Sequence, residues 1–311
     1  MILTDTPRRI LCATDMTERS APAMQRAQSL AHRTGARLTM LHVVASKQPD
    51  RIARMQANRA FVQLLSDVER IYGPAAGAID ILARRGEVRE TIAATANDVG
   101  ADLIVIAPPR PRRADAILGT TAERLIRTAR RPVLVVHGTT SDHYRSVVIA
   151  TDLSRSALPM ARTAVCLAAL DGVPSTIVHA IGVGDGMMKS AGLDESTIAD
   201  FERTTVESAR RRLRAFSTEA GLPAESTRVL VSRDRAADAI LAVIEQEQPD
   251  LLAMGASRWF LLKRLLIGSV ADRVIREASC DVLVIPHRPE ALRFARMPVA
   301  RSGRNAPASP A

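Results

Sequence analysis

The chain has 311 residues, 47% of them hydrophobic, 24% charged and 3% aromatic, with a formal net charge of +10. That balance excludes a disordered chain, and no apolar run approaches the roughly 20 residues a bilayer crossing needs. Two domains of ordinary size fit the length, with cores built from Ala, Leu, Val and Ile rather than aromatics.

Taken in chain order, the first half offers short apolar or β-branched runs at Ile10–Ala13, Leu38–Val44, Ala78–Ala83, Leu103–Ala107 and Val133–Val136. Segments of helical period separate them, the pattern of a parallel sheet with crossover helices. The polar, turn-forming stretch GTTSDHY, Gly138 to Tyr144, then marks a boundary. Beyond it, strands are expected at Val147–Ala150, Thr176–Ile181, Arg228–Val231, Leu251–Met254 and Val282–Ile285. Helices are expected between them at Ser156–Leu170, Asp194–Ala220, Ala236–Gln248 and Ser269–Ala278. The end, RSGRNAPASPA, has the composition of a disordered tail.

The second half repeats the first. RRILCATDMTERSAPAM from Arg8 matches RSVVIATDLSRSALPMA from Arg145, so Asp15 falls on Asp152 and His42 on His179, each 137 residues later. Asp102 falls on Asp250 at an offset of 148, so 11 residues are added in between. An α/β fold follows, with two tandem doubly wound parallel five-stranded sheets in the order 3-2-1-4-5. The expected organisation is a first domain at 1–138, a linker at 139–145, a second domain at 146–287 and a tail at 288–311. The fifth strands, RPVLVV and CDVLVI, would be apolar sheet edges that invite pairing with each other or with another subunit.

In open parallel sheets ligands bind beyond the carboxyl ends of the strands. In the second half those ends carry Thr151-Asp152, His179-Ala180 and Met254-Gly255, and a helix opens at Gly268-Ser269. Gly255 lets backbone approach a bound group, and the helix start offers unpaired N–H donors and a positive dipole end to phosphate. Asp152 would accept hydrogen bonds from a sugar or base, or hold a divalent ion carried by the phosphates. Plainer roles compete. Ser269 with Asp272 and Thr120 with Glu123 have capping-box spacing, and Asp152 or Ser154 can cap the following helix. His42 and His179 lack metal-ligand neighbours and are expected to be satisfied buried histidines.

These residues resemble the universal stress protein family over nearly both halves. The family's loop G-x2-G-x9-G-[ST] is matched by Gly255, Gly268 and Ser269, with Arg258 standing where the second glycine would be. The resemblance implies a Rossmann-like, adenine nucleotide alpha hydrolase-like fold, stress-response regulation, and dimers made through the fifth strand. It also implies ATP, or AMP or ADP, with Mg2+ on the phosphates. The holding residues would be Thr151, Asp152, Ala180, Met254, Gly255, Arg258, Gly268, Ser269 and Val270. Arg258 either adds a guanidinium contact to phosphate or fills the space.

The first half is the poorer candidate. Its loop begins at Ala107, is one residue shorter, and spends Pro108, Pro109 and Pro111 where N–H donors are wanted. Asp15 and Gly119-Thr120 are therefore expected to be remnants, with Arg84, Arg110, Arg112 and Arg113 as the remaining anion attractors.

Cys12, Cys166 and Cys280 fit neither a disulfide framework nor a CxxC metal site, and buried thiols are expected. The arginine clusters at 110–113, 130–131 and 210–214 are dispersed and lack interleaved aromatics, so solvated faces are expected rather than a nucleic-acid surface. The N-terminus lacks signal-peptide order, which points to the cytoplasm. No GxSxG, HExxH, Walker loop or SGGxDS-type loop is present, so turnover is limited to a slow ATPase or self-phosphorylation at Ser269. The apolar Leu261, Leu262, Leu265, Leu266 and Ile267 would form either a lid over the ligand or, with Trp259 and Phe260 beside them, a docking surface. The alternative function is a nucleotide-free interaction module in which Arg258 and Trp259 close the pocket and this basic, apolar loop docks a protein partner.

Overall fold

The computed structural model describes residues 6–45, 50–108, 125–126, 131–138, 143–154, 157–168, 173–182, 194–255 and 269–286. The first half runs β1 (Arg9–Thr14), α1 (Ala21–Thr34), β2 (Arg37–Val44), α2 (Asp50–Tyr72), β3 (Ile79–Arg85), α3 (Val88–Asp98), β4 (Leu103–Ile106) and β5 (Val133–Val135). The second runs β6 (Val147–Ala150), α4 (Ala157–Ala168), β7 (Ser175–Ala180), α5 (Glu195–Ala220), β8 (Thr227–Ser232), α6 (Ala236–Glu247), β9 (Leu251–Gly255), α7 (Ser269–Glu277) and β10 (Asp281–Ile285). Most limits fall within one or two residues of expectation; β3 extends to Arg85 rather than stopping at Ala83. The expected tail at 288–311 lies outside the described residues.

Each half keeps the order 3-2-1-4-5, but the expected pair of sheets is one. The ten strands run β3-β2-β1-β4-β5-β10-β9-β6-β7-β8. The fifth strands make the join, antiparallel, with Val282 opposite Val135, Leu283 opposite Leu134 and Val284 opposite Val133. Every other pair is parallel. The physical reason is the edge itself: β5 and β10 are buried at every residue, so neither is fitted to face water. The two strands left at the rims, β3 and β8, are half-exposed and carry Arg84, Arg85 and Arg228.

Helices cover both faces, so the central strands read as continuous apolar runs rather than alternating ones. One core layer gathers Ile10, Met40, Leu134, Ile149, Ile177 and Leu283 with α1, α2, α4 and α5. The other gathers Leu11, Ile104, Val148, Val178, Leu252 and Val284 with α3, α6 and α7.

Local chemistry sets the helix ends. Pro22 sits in the first turn of α1, and Gly35 closes that helix at φ 68°. Asp194 caps α5 by accepting the Thr197 N–H at 3.0 Å. The Ser196 hydroxyl, the Thr197 hydroxyl and this Thr197 N–H all donate to the Asp194 carboxylate and hold it far below the usual carboxylate range. Cys12 and Cys280 are buried, as expected, whereas Cys166 is only half-buried and bonds Thr6 Oγ1 at 3.3 Å.

The junction is more than a polar turn. Tyr144 is 2% exposed and donates to Asp281 Oδ2 at 2.9 Å, while the N–H groups of His137 and Gly138 donate to Asp281 Oδ1 at 3.0 Å each. No described helix is long and apolar enough to cross a membrane.

Candidate functional site

The carboxyl end of the second half is assembled by register. Ala150 of β6 lies opposite Met254 of β9 and Val178 of β7, so Thr151-Asp152, His179-Ala180 and Gly255 emerge side by side. Since α7 links the parallel strands β9 and β10, its start at Ser269-Val270 lies on this same edge. Arg258 and Gly268 fall outside the described residues, as does the segment with Trp259, Phe260 and Leu261 to Ile267.

Two of the sequence-predicted residues have side chains already committed. Met254 is 4% exposed and packs into the core beside α6 and α7, leaving only its main chain to the edge. Thr151 is 7% exposed, and its Oγ1 accepts the Leu153 N–H at 3.0 Å. Asp152 is exposed, and its Oδ1 accepts the Ser154 N–H at 2.9 Å, so the turn-capping role is real whatever else the carboxylate does. Leu153 takes φ 58° to make this turn. Asp272, in the first turn of α7, accepts from Arg276 Nε at Oδ1 at 2.9 Å.

The first half builds the same turn from other residues. Thr14 Oγ1 accepts the Met16 N–H at 2.9 Å, Asp15 Oδ1 accepts the Thr17 N–H at 3.1 Å, and Met16 sits at φ 57°. The histidines complete the likeness. His42 Nδ1 lies 2.9 Å from the Thr14 carbonyl and His179 Nδ1 lies 2.8 Å from the Thr151 carbonyl. A carbonyl only accepts, so each ring carries its proton on Nδ1 and, when neutral, keeps Nε2 as an acceptor. Both rings are half-buried rather than buried, which corrects the expectation. Among the described residues no cluster of three or more His, Cys, Asp or Glu is arranged to hold a metal.

Gly255 is the last residue of β9, at this edge. Its backbone is not in the left-handed region, and a Cβ built there meets no atom of the described residues within 4 Å. Its counterpart in the first half, one residue past Ile106, is Ala107. Among the described residues neither strain nor packing demands a glycine at 255.

The universal stress protein family model matches residues 6–137 and again 143–286. The chain belongs to the universal stress protein family. Among curated relatives, a universal stress protein of Methanocaldococcus jannaschii is 27% identical over 142 residues, covering 46% of this chain and 82% of that one. One from Thermus aquaticus is 28% identical over 142 residues, covering 46% and 98%. Among solved structures, a functionally unknown protein of Pseudomonas aeruginosa shares the fold at TM-score 0.66 and 19% identity, covering 93% of this chain and 95% of that one. A universal stress protein of Archaeoglobus fulgidus does so at TM-score 0.60 and 18% identity, covering 90% and 99%.

In this universal stress protein, sequence reasoning overlooked the wall opposite Ala180. A groove of about 510 Å³ at the end of β7 is bounded on its far side by α5, through Phe201, Thr205, Ser208 and Arg212. The signal was available as a helical spacing, but residues 210–214 were read only as a charge cluster.

Proposed function

We propose that this universal stress protein is a nucleotide-responsive regulator that binds an adenine nucleotide, ATP or its AMP and ADP forms, at the carboxyl edge of β6, β7 and β9. The observation that carries the reading is Gly255: a glycine required by neither its backbone angle nor its described neighbours, beside the strand end bearing Asp152. A glycine kept open there suits close approach of a phosphate chain, with the first turn of α7 supplying N–H donors and the positive dipole end. Asp152 would meet the sugar or base, Ala180 would flank the base, and Gly268 and Ser269 would complete the cradle. With no described metal cluster, Mg2+ would arrive with the phosphates and be held chiefly by them. The first half, with Ala107 in place of the glycine, is the non-binding copy. The domains divide near 138 and 146 in this reading.

Calorimetric titration of the purified chain with Mg-ATP tests it, with Gly268→Asp as the control expected to repel phosphate. Saturable heat in the native chain that disappears in the variant is the expected result; no heat at millimolar nucleotide overturns the reading.

A second reading draws on the exposed apolar side chains of α2, where Met55 is 66% and Val62 63% exposed. Such a surface suits a protein partner. Nucleotide binding and partner docking are compatible, and partner capture that persists in Gly268→Asp would mark docking as independent of nucleotide.

A further inference from the structure

The groove along α5 has the volume of a small-molecule site, about 510 Å³. Positions 201, 205, 208 and 212 follow the i, i+4, i+7, i+11 spacing of one helical stripe, about 16 Å long at 1.5 Å per residue. The stripe begins with an aromatic ring, continues with hydroxyls and ends with a guanidinium.

The hydroxyls behave unlike their counterparts in other helices. Thr34, Thr95, Thr163 and Thr218 each turn their hydroxyl back to the carbonyl four residues earlier, at 2.7, 2.7, 3.0 and 3.2 Å. Thr204, Thr205 and Ser208 make no such bond among the described residues, and all three line the groove. Arg212 is exposed and forms no ion pair among the described residues. No carboxylate is among the described lining residues. At the mouth, His179 has spent Nδ1 on the Thr151 carbonyl, leaving Nε2 to accept from a ligand hydroxyl.

We propose that this groove binds a sugar-phosphate group, with the phosphate on Arg212, the hydroxyls on Thr204, Thr205 and Ser208, and the apolar edge of the sugar or an attached base against Phe201. Guanidinium matches phosphate in charge and donor geometry, and freely rotating hydroxyls donate to or accept from sugar oxygens as needed. The group has two possible sources. It arrives as a free sugar phosphate, or as the distal half of a dinucleotide whose other half occupies the strand ends beside Ala180. The second source rests on the nucleotide reading above; the first does not.

Calorimetric titration of the full chain with ribose 5-phosphate, ATP and diadenosine tetraphosphate separates these, repeated on Arg212→Ala and Ser208→Ala with circular dichroism to verify the fold. For a free sugar phosphate, ribose 5-phosphate binds the native chain, and Arg212→Ala weakens it by about tenfold or more. For a dinucleotide, diadenosine tetraphosphate binds tighter than ATP, and Arg212→Ala removes that advantage while leaving ATP affinity unchanged. If ATP binds but ribose 5-phosphate does not and the dinucleotide has no advantage, the groove inference is overturned and the nucleotide reading stands. If ribose 5-phosphate binds in an Arg212-dependent way and ATP does not, the groove stands and the nucleotide reading falls. Affinities for ribose 5-phosphate and for diadenosine tetraphosphate that are both the same in native and folded Arg212→Ala protein overturn the groove inference outright.

Discussion

Arg26, on the first helix of the first half, donates from Nε to Asp281 Oδ2 at 3.0 Å, although 255 residues separate them. Both are sealed from water, at 3% and 0% side-chain exposure, and the guanidinium lies 4.3 Å from the centre of the Tyr144 ring. With Tyr144 and the two junction N–H groups also donating to Asp281, this carboxylate ties together α1, the junction and β10. Removing one partner of such a pair strands the other without solvent. Asp281→Ala is therefore expected to cost about 3–5 kcal/mol in urea unfolding, and the double variant Arg26→Met with Asp281→Asn less than the sum of its two single changes. Additive losses would show that the two groups do not act as a pair.

The acid side of the stability profile should involve His137. Burial holds its imidazole below the ordinary 6.5, against the weaker opposing pull of the Asp281 charge, and its Nε2 is buried without a hydrogen-bond partner among the described residues. The unfolded chain thus takes up the proton first, so stability falls as pH drops through the unfolded value near 6.5. Melting scans between mildly alkaline and mildly acidic buffer should show this decline, and His137→Phe should flatten it. An unchanged slope in His137→Phe assigns the decline to other groups.

One backbone position invites improvement. Gln248 ends α6 at φ 47°, in the left-handed region, whereas Gly100 stands at φ 63° at the corresponding place after α3. Gln248→Gly should stabilise by about 0.5–1 kcal/mol, less whatever is lost with the bond from Nε2 to the Glu245 carbonyl at 3.0 Å. A lower midpoint in urea would mean that the side-chain bond outweighs the backbone relief.

Gly255→Val separates folding from binding. Since a Cβ there meets no atom of the described residues within 4 Å, the melting temperature should stay close to native. Under the proposed function, Mg-ATP affinity should fall by about tenfold or more as the branched side chain occupies the phosphate approach. Native affinity in a folded Gly255→Val chain would show that the strand end is not where nucleotide sits.

The three thiols should differ in reactivity. Burial pushes Cys12 and Cys280 up to about 12, leaving almost no thiolate at neutral pH, while Cys166 is half-buried. Brief iodoacetamide treatment followed by peptide mass spectrometry should find Cys166 modified first, and Cys12 and Cys280 only after unfolding.

Much of the fold was legible because the chain states it twice. The offset from Asp15 to Asp152 and from His42 to His179 located matching strands, and the apolar fifth strands announced that they needed partners. Their actual pairing follows from burying Val133–Val135 and Asp281–Ile285 against each other. What repetition cannot announce is what the copies do not share. The position of Asp281 is held in the first half by Pro132, so nothing in the repeat pointed to a buried acid or to a partner on α1. Tyr144 sat within a stretch whose polar composition concealed its burial. At the candidate site, strand ends were legible from position alone. The α5 wall was not, because Phe201 and Arg212 meet only through helical geometry 11 residues apart.

The antiparallel seam between β5 and β10 gives the molecule two heads that look away from each other. Strands of the first half finish at one pole and those of the second at the other, so the turn at Asp15 and the turn at Asp152 stand back to back across the whole sheet. The seam and the buried acid that fastens it thus lie between the strand ends proposed to meet nucleotide and the matching turn of the first half.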